Sequence, residues 1–325
     1  MNEDANPADL RERAEAAARR SAGEVRETGL EESPWLSRRS GARVLLKLEN
    51  QQRSGSFKFR GAMARLSALS ADDARRGVVV ASSGNHGAAC ALAGRLLGVP
   101  VRVFVPTYAK EGKRRKILGQ GAALESVGDD CLDTERAARA CAEREGLVYV
   151  SPYDDLEVAA GQGTIGLELE RQAPDLDAVF VAVGGGGLIG GVGAVLKTRR
   201  SEIEIVAASP ERSPAVHACL EAGRWVDAVC EDTLSDATAG GVDPDSVTLP
   251  LCRAVVDRSL LVPEDEIGPA LRAVFDEEGL LVEGAAAMAV AAFLATGRTW
   301  AGRTVAIILC GGNLDAATAR RWLAD

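Results

Sequence analysis

Residues 78–105 read VVVASSGNHGAACALAGRLLGVPVRVFV, two valine-rich runs separated by an alanine-rich segment. Val78 to Ala81 and Val101 to Val105 have the length and β-branched character of buried strands, and Ala88 to Leu97 has the length of a helix. Two strands joined through a helix need a crossover connection, which makes them parallel members of one sheet. This stretch therefore predicts an α/β fold with helices on both faces of a parallel sheet.

The same alternation extends in both directions along the chain. Further strand-length apolar runs lie at Val44 to Leu48, Val148 to Val150, Ala178 to Val183, Ile205 to Ala208 and Val305 to Leu309. Helical stretches include Pro7 to Glu27, Leu132 to Glu145 and Gly161 to Gln172. Ligands of α/β sheets bind beyond the carboxyl ends of the strands, so we expect the chemistry in the loops that follow these runs.

The overall composition excludes several classes of protein. The chain has 325 residues, 46% hydrophobic and 26% charged, which suits a globular protein of two domains. A formal charge of −9 argues against nucleic-acid binding, and we expect the basic run Lys113 to Lys116 to be a solvated helix face. The seven cysteines lack Cys-x-x-Cys spacing, so neither a disulfide framework nor a zinc site is expected.

Export and membrane insertion are not indicated either. The first residues are polar and lack the basic and apolar regions of a signal peptide. Ala178 to Leu196 carries no charge over 19 residues, but seven of these are glycine, which argues against a membrane helix. We therefore expect a cytoplasmic protein without nucleic-acid or membrane partners.

One loop of interest, Ser82-Ser83-Gly84-Asn85-His86-Gly87, opens the alanine-rich helix. Backbone N–H groups and the helix dipole at such a turn favour an anion, and the short side chains would let a carboxylate approach closely. An ordinary capped helix is the alternative. His86 is one of only two histidines and could act as a base, but we expect a hydrogen-bonded structural histidine.

A second loop contains four consecutive glycines, Gly184 to Gly187, and opens another helix. Without Cβ atoms, the backbone N–H groups can surround a phosphate at the helix start. The glycines at 185, 187 and 190, with Glu211 further on, also satisfy the dinucleotide pattern G-x-G-x-x-G. A nicotinamide-dependent dehydrogenase and a non-catalytic binding protein are therefore alternatives on this loop alone.

A third segment, Ser56-Phe57-Lys58-Phe59-Arg60-Gly61-Ala62, places a lysine between two phenylalanines. Removal of its amine from water would lower the pKa of Lys58 and make it a candidate for Schiff-base chemistry. An exposed lysine on a helix is the alternative.

Five ordered motifs resemble those of the serine/threonine dehydratase and serine racemase family of pyridoxal-phosphate enzymes. They are SFKFRGA at 56–62, SSGNHG at 82–87, the four glycines, VEGAA at 282–286 and LCGGN at 309–313. The resemblance covers nearly the whole chain and implies fold type II, with the cofactor in a cleft between two α/β domains. It implies a large domain of residues 1–51 and 154–325 and a small, substrate-closing domain of residues 52–153.

The resemblance also implies the roles of individual residues. Lys58 would carry pyridoxal 5′-phosphate as an internal aldimine, with Phe57 beside the ring and Asn85 at the phenolic oxygen. The phosphate would be held by Gly184, Gly185, Gly186 and Gly187. Glu283 would be a further cofactor-binding residue, and Cys310 would face the pyridine nitrogen. The substrate carboxylate would be received by Ser82, Ser83, Asn85 and His86.

The thiol at Cys310 bears on the type of reaction. A thiol is a weak donor, so the ring nitrogen would stay largely unprotonated and the electron sink would be weak, which favours β-elimination. A small buried hydrophobic residue is the alternative. We expect a dehydratase, or ammonia-lyase, in which Lys58 is the general base and a small hydroxy amino acid such as threonine or serine gives a 2-oxo acid and ammonia.

Several alternatives stay open within the family. An amino-acid racemase would use Lys58 and Ser83 as opposed bases. The segment Thr233 to Val242 is similar to hydroxyectoine-utilisation dehydratases, which suggests a specialised dehydratase. Ser209 stands where several members place an acidic cation ligand, so no metal is expected. The resemblance also favours a homodimer.

Overall fold

The two valine-rich runs form adjacent parallel strands in the computed structural model, which describes residues 6–323, and Val78 pairs with Val101. The strands are β1 (Leu30–Glu32), β2 (Arg43–Lys47), β3 (Val78–Ala81), β4 (Val101–Val105), β5 (Ala123–Ser126), β6 (Val148–Tyr149), β7 (Ala178–Ala182), β8 (Glu204–Pro210), β9 (Arg258–Val262) and β10 (Thr304–Ile308).

Helices connect these strands. They are α1 (Pro7–Arg20), α2 (Pro34–Ser40), α3 (Lys58–Ser67), α4 (Ala71–Arg76), α5 (Asn85–Leu97), α6 (Glu111–Leu118), α7 (Cys131–Glu145), α8 (Leu156–Gln172), α9 (Gly187–Arg199), α10 (Ala215–Ala222), α11 (Thr248–Val255), α12 (Glu264–Glu278), α13 (Gly284–Ala295) and α14 (Ala316–Leu323). Two 3-10 turns lie at Glu49–Gln51 and Asp236–Thr238.

The strands form two sheets, which confirms the predicted α/β class with two domains. The larger sheet has the order β1-β2-β10-β7-β8-β9, and the smaller one has the order β5-β4-β3-β6. All neighbouring pairs are parallel except β1 with β2. The smaller sheet comes entirely from residues 78 to 149, and the exact domain boundaries at 51/52 and 153/154 stay a prediction.

The predicted strands all form, with ends that differ by one or two residues. The strands not predicted are β1, β5 and β9, which lie at sheet edges. An edge strand is paired on one side only and is partly exposed here, so it lacks a continuous apolar run. The first helix is shorter than predicted, because it ends at Arg20 before Gly23, which has a positive φ of 84°.

Helix α3, which begins at Lys58, packs directly against α8. A Cβ added to Gly161 would lie 2.5 Å from the Arg60 carbonyl oxygen and 2.6 Å from Gly61 Cα. Glycine is therefore required where the two backbones approach each other. This contact fixes the helix that carries the candidate catalytic lysine.

A buried group of four charged side chains ties α3 to the larger sheet; we call Lys47, Glu49, Arg60 and Glu168 the Arg60 network. Arg60 is 1% exposed and binds Glu49 through Nε and Nη2 at 2.8 and 2.7 Å. It binds Glu168 through Nη1 and Nη2 at 2.6 and 2.9 Å, and Lys47 Nζ donates to Glu168 at 2.5 Å. Two cations thus face two carboxylates.

Within residues 6–323, no helix is long and apolar enough to cross a membrane. The uncharged stretch Ala178 to Leu196 consists of β7, the glycine loop and most of α9.

Candidate active site

Lys58 lies at the start of α3 with its amine at the edge of a cavity. The Nζ atom donates to the Pro152 carbonyl oxygen at 2.7 Å and lies 5.1 Å from the centre of the Phe57 ring. Burial lowers the pKa of Lys58 to about 8. The second phenylalanine of the motif, Phe59, is fully buried in the core beside the smaller sheet. Of the two phenylalanines in the motif, Phe57 therefore lies next to the amine and Phe59 does not.

The glycine loop packs too closely against its neighbours to accept side chains. A Cβ on Gly185 would lie 2.3 Å from Cγ of Tyr153, and one on Gly186, where φ is 84°, would lie 2.6 Å from Cys252 Sγ. A Cβ on Gly184 would lie 2.9 Å from Thr238 Cα. Packing alone thus requires glycine at these three positions.

The same loop offers free hydrogen-bond donors. The backbone N–H groups of Gly184 to Gly187 have no acceptor among residues 6–323, and α9 begins at Gly187. Free N–H groups at the positive end of a helix dipole form an anion site. The loop and the nearby Lys58 amine therefore fit pyridoxal phosphate, which has a phosphate at one end and an aldehyde that an amine attacks.

One cavity of about 150 Å³ brings most of the predicted cofactor residues together. Its lining includes Phe57, Lys58, Asn85, Gly184, Gly185, Gly186, Gly187, Glu283 and Cys310. It also includes Pro152 and Tyr153, to which the sequence analysis gave no role, and residues 237–241 of the segment Thr233 to Val242. The predicted set is thus gathered at one place, although the individual roles stay predictions.

Asn85 and Glu283 form a polar pair on one wall of the cavity. Asn85 Nδ2 donates to both carboxylate oxygens of Glu283 at 2.9 Å. Burial raises the pKa of Glu283 to about 7, even though the hydrogen bonds from Asn85 act in the opposite direction. Glu283 therefore titrates near neutral pH.

Cys310 lies at the carboxyl end of the central strand β10 and is 2% exposed. Burial raises the pKa of its thiol well above the ordinary value, so the sulfur is uncharged at neutral pH. Its carbonyl oxygen accepts from Phe57 N–H at 3.0 Å, which ties the strand end to the lysine segment. An uncharged, weakly donating group thus lies at the cavity.

Three residues predicted to receive the substrate do not line this cavity in the described part of the chain. Ser82 and Ser83 are half-buried in the loop between β3 and α5, and the Ser82 hydroxyl accepts from Gly84 N–H at 3.2 Å. His86 is buried, and its Nε2 lies 3.0 Å from the Val150 carbonyl oxygen. Burial and the nearby Lys58 lower the pKa of His86 to about 3, so the ring is neutral and suits the expected structural role.

The segment Thr233 to Val242 contributes one wall of the cavity through residues 237–241. Glu264 accepts hydrogen bonds from the Thr233 hydroxyl and the Leu234 N–H, and Gly240 N–H donates to the Ser213 hydroxyl at 2.9 Å. This segment is therefore in position to contact a ligand held by Lys58.

Comparison with known proteins agrees with this geometry. Residues 22–311 match the family described as pyridoxal-phosphate dependent enzyme. The L-threonine ammonia-lyase of Thermotoga maritima is 38% identical over 291 residues, which are 90% of this chain and 72% of that protein.

Two solved structures show the same fold over nearly the whole chain. The processed form of threonine deaminase isoform 2 from Solanum lycopersicum has a TM-score of 0.91 and 30% identity, with 99% of this chain and 93% of that one covered. Maize serine racemase has a TM-score of 0.90 and 29% identity, with 96% of each chain covered. The chain therefore belongs to the pyridoxal-phosphate dependent enzymes of fold type II, in the family of serine/threonine dehydratases and serine racemases that its five motifs predict.

Proposed function

We propose that this enzyme eliminates water from L-threonine, and from L-serine, and that hydrolysis of the dehydrated product gives the corresponding 2-oxo acid and ammonia. The observation that carries the proposal is the Lys58 amine, whose pKa burial lowers to about 8, at a cavity lined by Gly184 to Gly187. The 38% identity to an L-threonine ammonia-lyase supports threonine as the first substrate to test.

The residues of this cavity suit a reaction at the α-carbon of an amino acid. Pyridoxal phosphate, when bound, supplies a sink for the electrons of a bond broken at that carbon. Lys58 is the residue that would hold it covalently, and the N–H groups of Gly184 to Gly187 would hold its phosphate. Phe57 would cover the ring.

Lys58 is also the group best placed to move a proton. A pKa near 8 leaves a useful fraction of the amine neutral at physiological pH, and the Pro152 carbonyl fixes the direction of Nζ. Removal of the α-proton by this amine, loss of the β-hydroxyl as water and hydrolysis of the product convert threonine into 2-oxobutanoate and ammonia. The neutral thiol of Cys310 suits elimination, because the ring nitrogen then gains no strong donor.

The test is a panel of hydroxy amino acids with the cofactor-loaded enzyme. We expect 2-oxobutanoate and ammonia in equal amounts from L-threonine, and pyruvate from L-serine at a lower rate. Threo-3-hydroxyaspartate and bulkier hydroxy amino acids complete the panel, and a high rate with one of these would indicate a specialised dehydratase. Absence of any 2-oxo acid across the panel would contradict the proposal.

Racemisation by Lys58 and Ser83 is measured in the same samples by chiral chromatography. Ser83 does not line the Lys58 cavity among residues 6–323, which supports elimination over a second base at this position. If D-serine forms faster than pyruvate, racemisation and not elimination is the main reaction.

We also propose a homodimer in the cytoplasm. All seven cysteines are free, as expected in a reducing compartment, and dimers are implied by the family resemblance. Light scattering on the purified protein tests the dimer directly.

A further inference from the structure

A line of hydrogen bonds runs from helix α6 to the wall of the cavity. Lys116 Nζ donates to Asn313 Oδ1, and Asn313 Nδ2 donates to Asn85 Oδ1 at 2.7 Å. Asn85 Nδ2 then donates to both oxygens of Glu283 at 2.9 Å. Asn85 and Glu283 line the cavity, whereas Asn313 and the exposed Lys116 do not.

The groups at the outer end of this line fix its direction. An ammonium group has donors and no acceptor, so the Asn313 side chain must present its oxygen to Lys116. The Asn313 amide nitrogen also donates to the Ser54 carbonyl oxygen at 2.9 Å, and a carbonyl can only accept. Both contacts therefore select the same orientation of the Asn313 amide.

That orientation is passed on to the next amide. Because Asn313 presents its NH₂ group to Asn85, Asn85 must present its oxygen in return. The NH₂ group of Asn85 then faces Glu283 and the cavity. Glu283 accepts from the same NH₂ group, so the outer line and this carboxylate select the same orientation of an amide whose two ends have nearly the same shape.

We propose that Asn313 and Lys116 are positioning residues that keep the NH₂ group of Asn85 directed into the cofactor site. The predicted partner of Asn85 is the phenolic oxygen of pyridoxal phosphate. A hydrogen-bond donor at that oxygen favours its ionised form, and an acceptor there disfavours it. The inference rests on the cofactor, which family membership shows, and is independent of the substrate proposed above.

The surroundings of Asn313 are shaped for this contact. Gly55 has a φ of 78°, and a Cβ at this position would lie 2.5 Å from Asn313 Oδ1. Two other lysines near α6 behave differently, because Lys110 and Lys113 pair with Asp315 and Asp236 at 3.4 and 3.3 Å. Within residues 6–323, Lys116 has no such carboxylate partner and donates to a neutral amide instead.

The decisive variant is Asn313→Asp, which has nearly the same shape but two acceptors. The new carboxylate would attract Lys116 with one oxygen and would require Asn85 to donate with its NH₂ group to the other. Asn85 would then turn its oxygen toward Glu283 and the cavity, and Glu283 must be protonated to donate to that oxygen. In the cofactor-loaded protein, we expect the ratio of the absorption bands of the ionised and un-ionised phenolic forms to fall about tenfold at fixed pH, as expected for one hydrogen bond to a charged oxygen.

Lys116→Gln is the second variant, since a glutamine can present either end to Asn313. We expect the same band ratio to fall about threefold, with a matching loss of affinity for added pyridoxal 5′-phosphate, and a thermal unfolding midpoint close to wild type. Lys110→Gln is the matched control and should change neither quantity. It removes an exposed lysine that lies next to the same helix but pairs with Asp315 instead of Asn313.

The band ratios of the three variants decide whether Asn313 and Lys116 position Asn85. An unchanged band ratio in folded Asn313→Asp would overturn the inference. If Asn313→Asp does not fold, an unchanged ratio in Lys116→Gln overturns it. A change of the band ratio in Asn313→Asp alone would restrict the positioning role to Asn313. If Lys110→Gln changes the band ratio as much as Lys116→Gln does, the change is a general effect of charge and the role of Lys116 is overturned. None of these measurements depends on turnover.

Discussion

Two buried charged regions each contain a residue from the start of α3, Arg60 in one and Lys58 in the other, and they are balanced in opposite ways. In the Arg60 network every charge has an opposite partner; burial alone would raise the pKa of Glu168, but the charges of Arg60 and Lys47 lower it. At the cavity, the carboxylate of Glu283 is bound by the neutral amide of Asn85, and burial raises its pKa to about 7. The cavity amine, Lys58, has a pKa that burial lowers to about 8.

The difference shows how one short segment serves two purposes. Paired and hydrogen-bonded opposite charges stabilise each other's charged form against burial; this effect lowers the pKa of Glu168, although burial still lowers the pKa of Lys47. Such pairs hold the geometry of the helix. Groups that are buried without a full partner titrate near neutral pH, where proton transfer is useful. Arg60 and Lys58 are two residues apart on α3, and the network therefore holds the helix from which the reactive amine projects.

The largest expected effect is that of Lys58→Ala. Without the amine, the cofactor has no covalent attachment and the α-proton has no base, so turnover should fall by about a thousandfold or more. Borohydride reduction of the wild type followed by peptide mapping should label position 58, and the variant should give no label there.

The fold of this variant provides the control. Wild-type Lys58 has a pKa of about 8 in the folded protein, below its ordinary value of 10.5, so at pH 7 folding must bury a protonated amine at a cost. The cofactor-free variant should therefore be no less stable than the cofactor-free wild type at pH 7. Normal turnover with the absorption band retained would contradict the assignment of Lys58.

The second prediction tests the network. Arg60→Met removes one partner from buried carboxylates and should lower the free energy of unfolding by about 3–5 kcal/mol, measured by denaturant titration. Arg65→Met is the matched control on the same helix, because Arg65 pairs with Asp155 at 2.7 Å but is 21% exposed. The control should lose clearly less stability. Equal losses in the free energy of unfolding for the two variants would show that the buried network stabilises the fold no more than an exposed ion pair does.

Much of this arrangement was predictable from the sequence. The parallel strands follow from continuous apolar runs such as Val78 to Ala81, which are buried on both faces of a sheet. The glycine loop and the lysine segment have local signatures. Four consecutive glycines indicate a backbone without Cβ atoms, and a lysine between two phenylalanines indicates a desolvated amine. Each signal alone left alternatives open, and the resemblance of the five ordered motifs was needed to predict the residues that line the cavity.

The rest depends on contacts between distant segments. Tyr153 covers the glycine loop, and Asn313 and Lys116 approach each other only in the folded chain, across 197 positions. The basic run that contains Lys116 is a solvated helix face as predicted, with Arg115 and Lys116 exposed, but the contact of Lys116 with Asn313 has no signal in the sequence. The pairing of Arg60 with Glu168 is likewise invisible in the sequence, since the residues are 108 positions apart.

A third prediction concerns the steric fit of the cavity. Gly185→Ala would place a Cβ 2.3 Å from Tyr153 Cγ, so the ring must move and the loop must open. We expect the affinity for pyridoxal 5′-phosphate to fall about tenfold or more in a titration of cofactor-free protein. Gly241→Ala is the control, because Gly241 also lines the cavity but has open space around its Cβ position. Equal effects of the two substitutions would remove the packing argument for Gly185.

The pH dependence of stability sharpens the comparison most, because the two regions should respond to pH with opposite signs. Glu283 has a folded-state pKa of about 7 against an ordinary value of 4.5, so wild-type stability falls as pH rises through this range. Glu283→Gln lacks this penalty and should gain about 2 kcal/mol relative to wild type between about pH 5 and about pH 8, measured on cofactor-free protein.

The pKa of Glu168 is lowered instead, so Glu168 contributes stability above its ordinary pKa, and this stability is lost on acidification. Glu168→Gln should therefore fall further below wild type as pH rises toward 4.5, the ordinary pKa of a glutamate. The same sign in both variants, each in its own pH range, would show that the two buried carboxylates are not balanced differently.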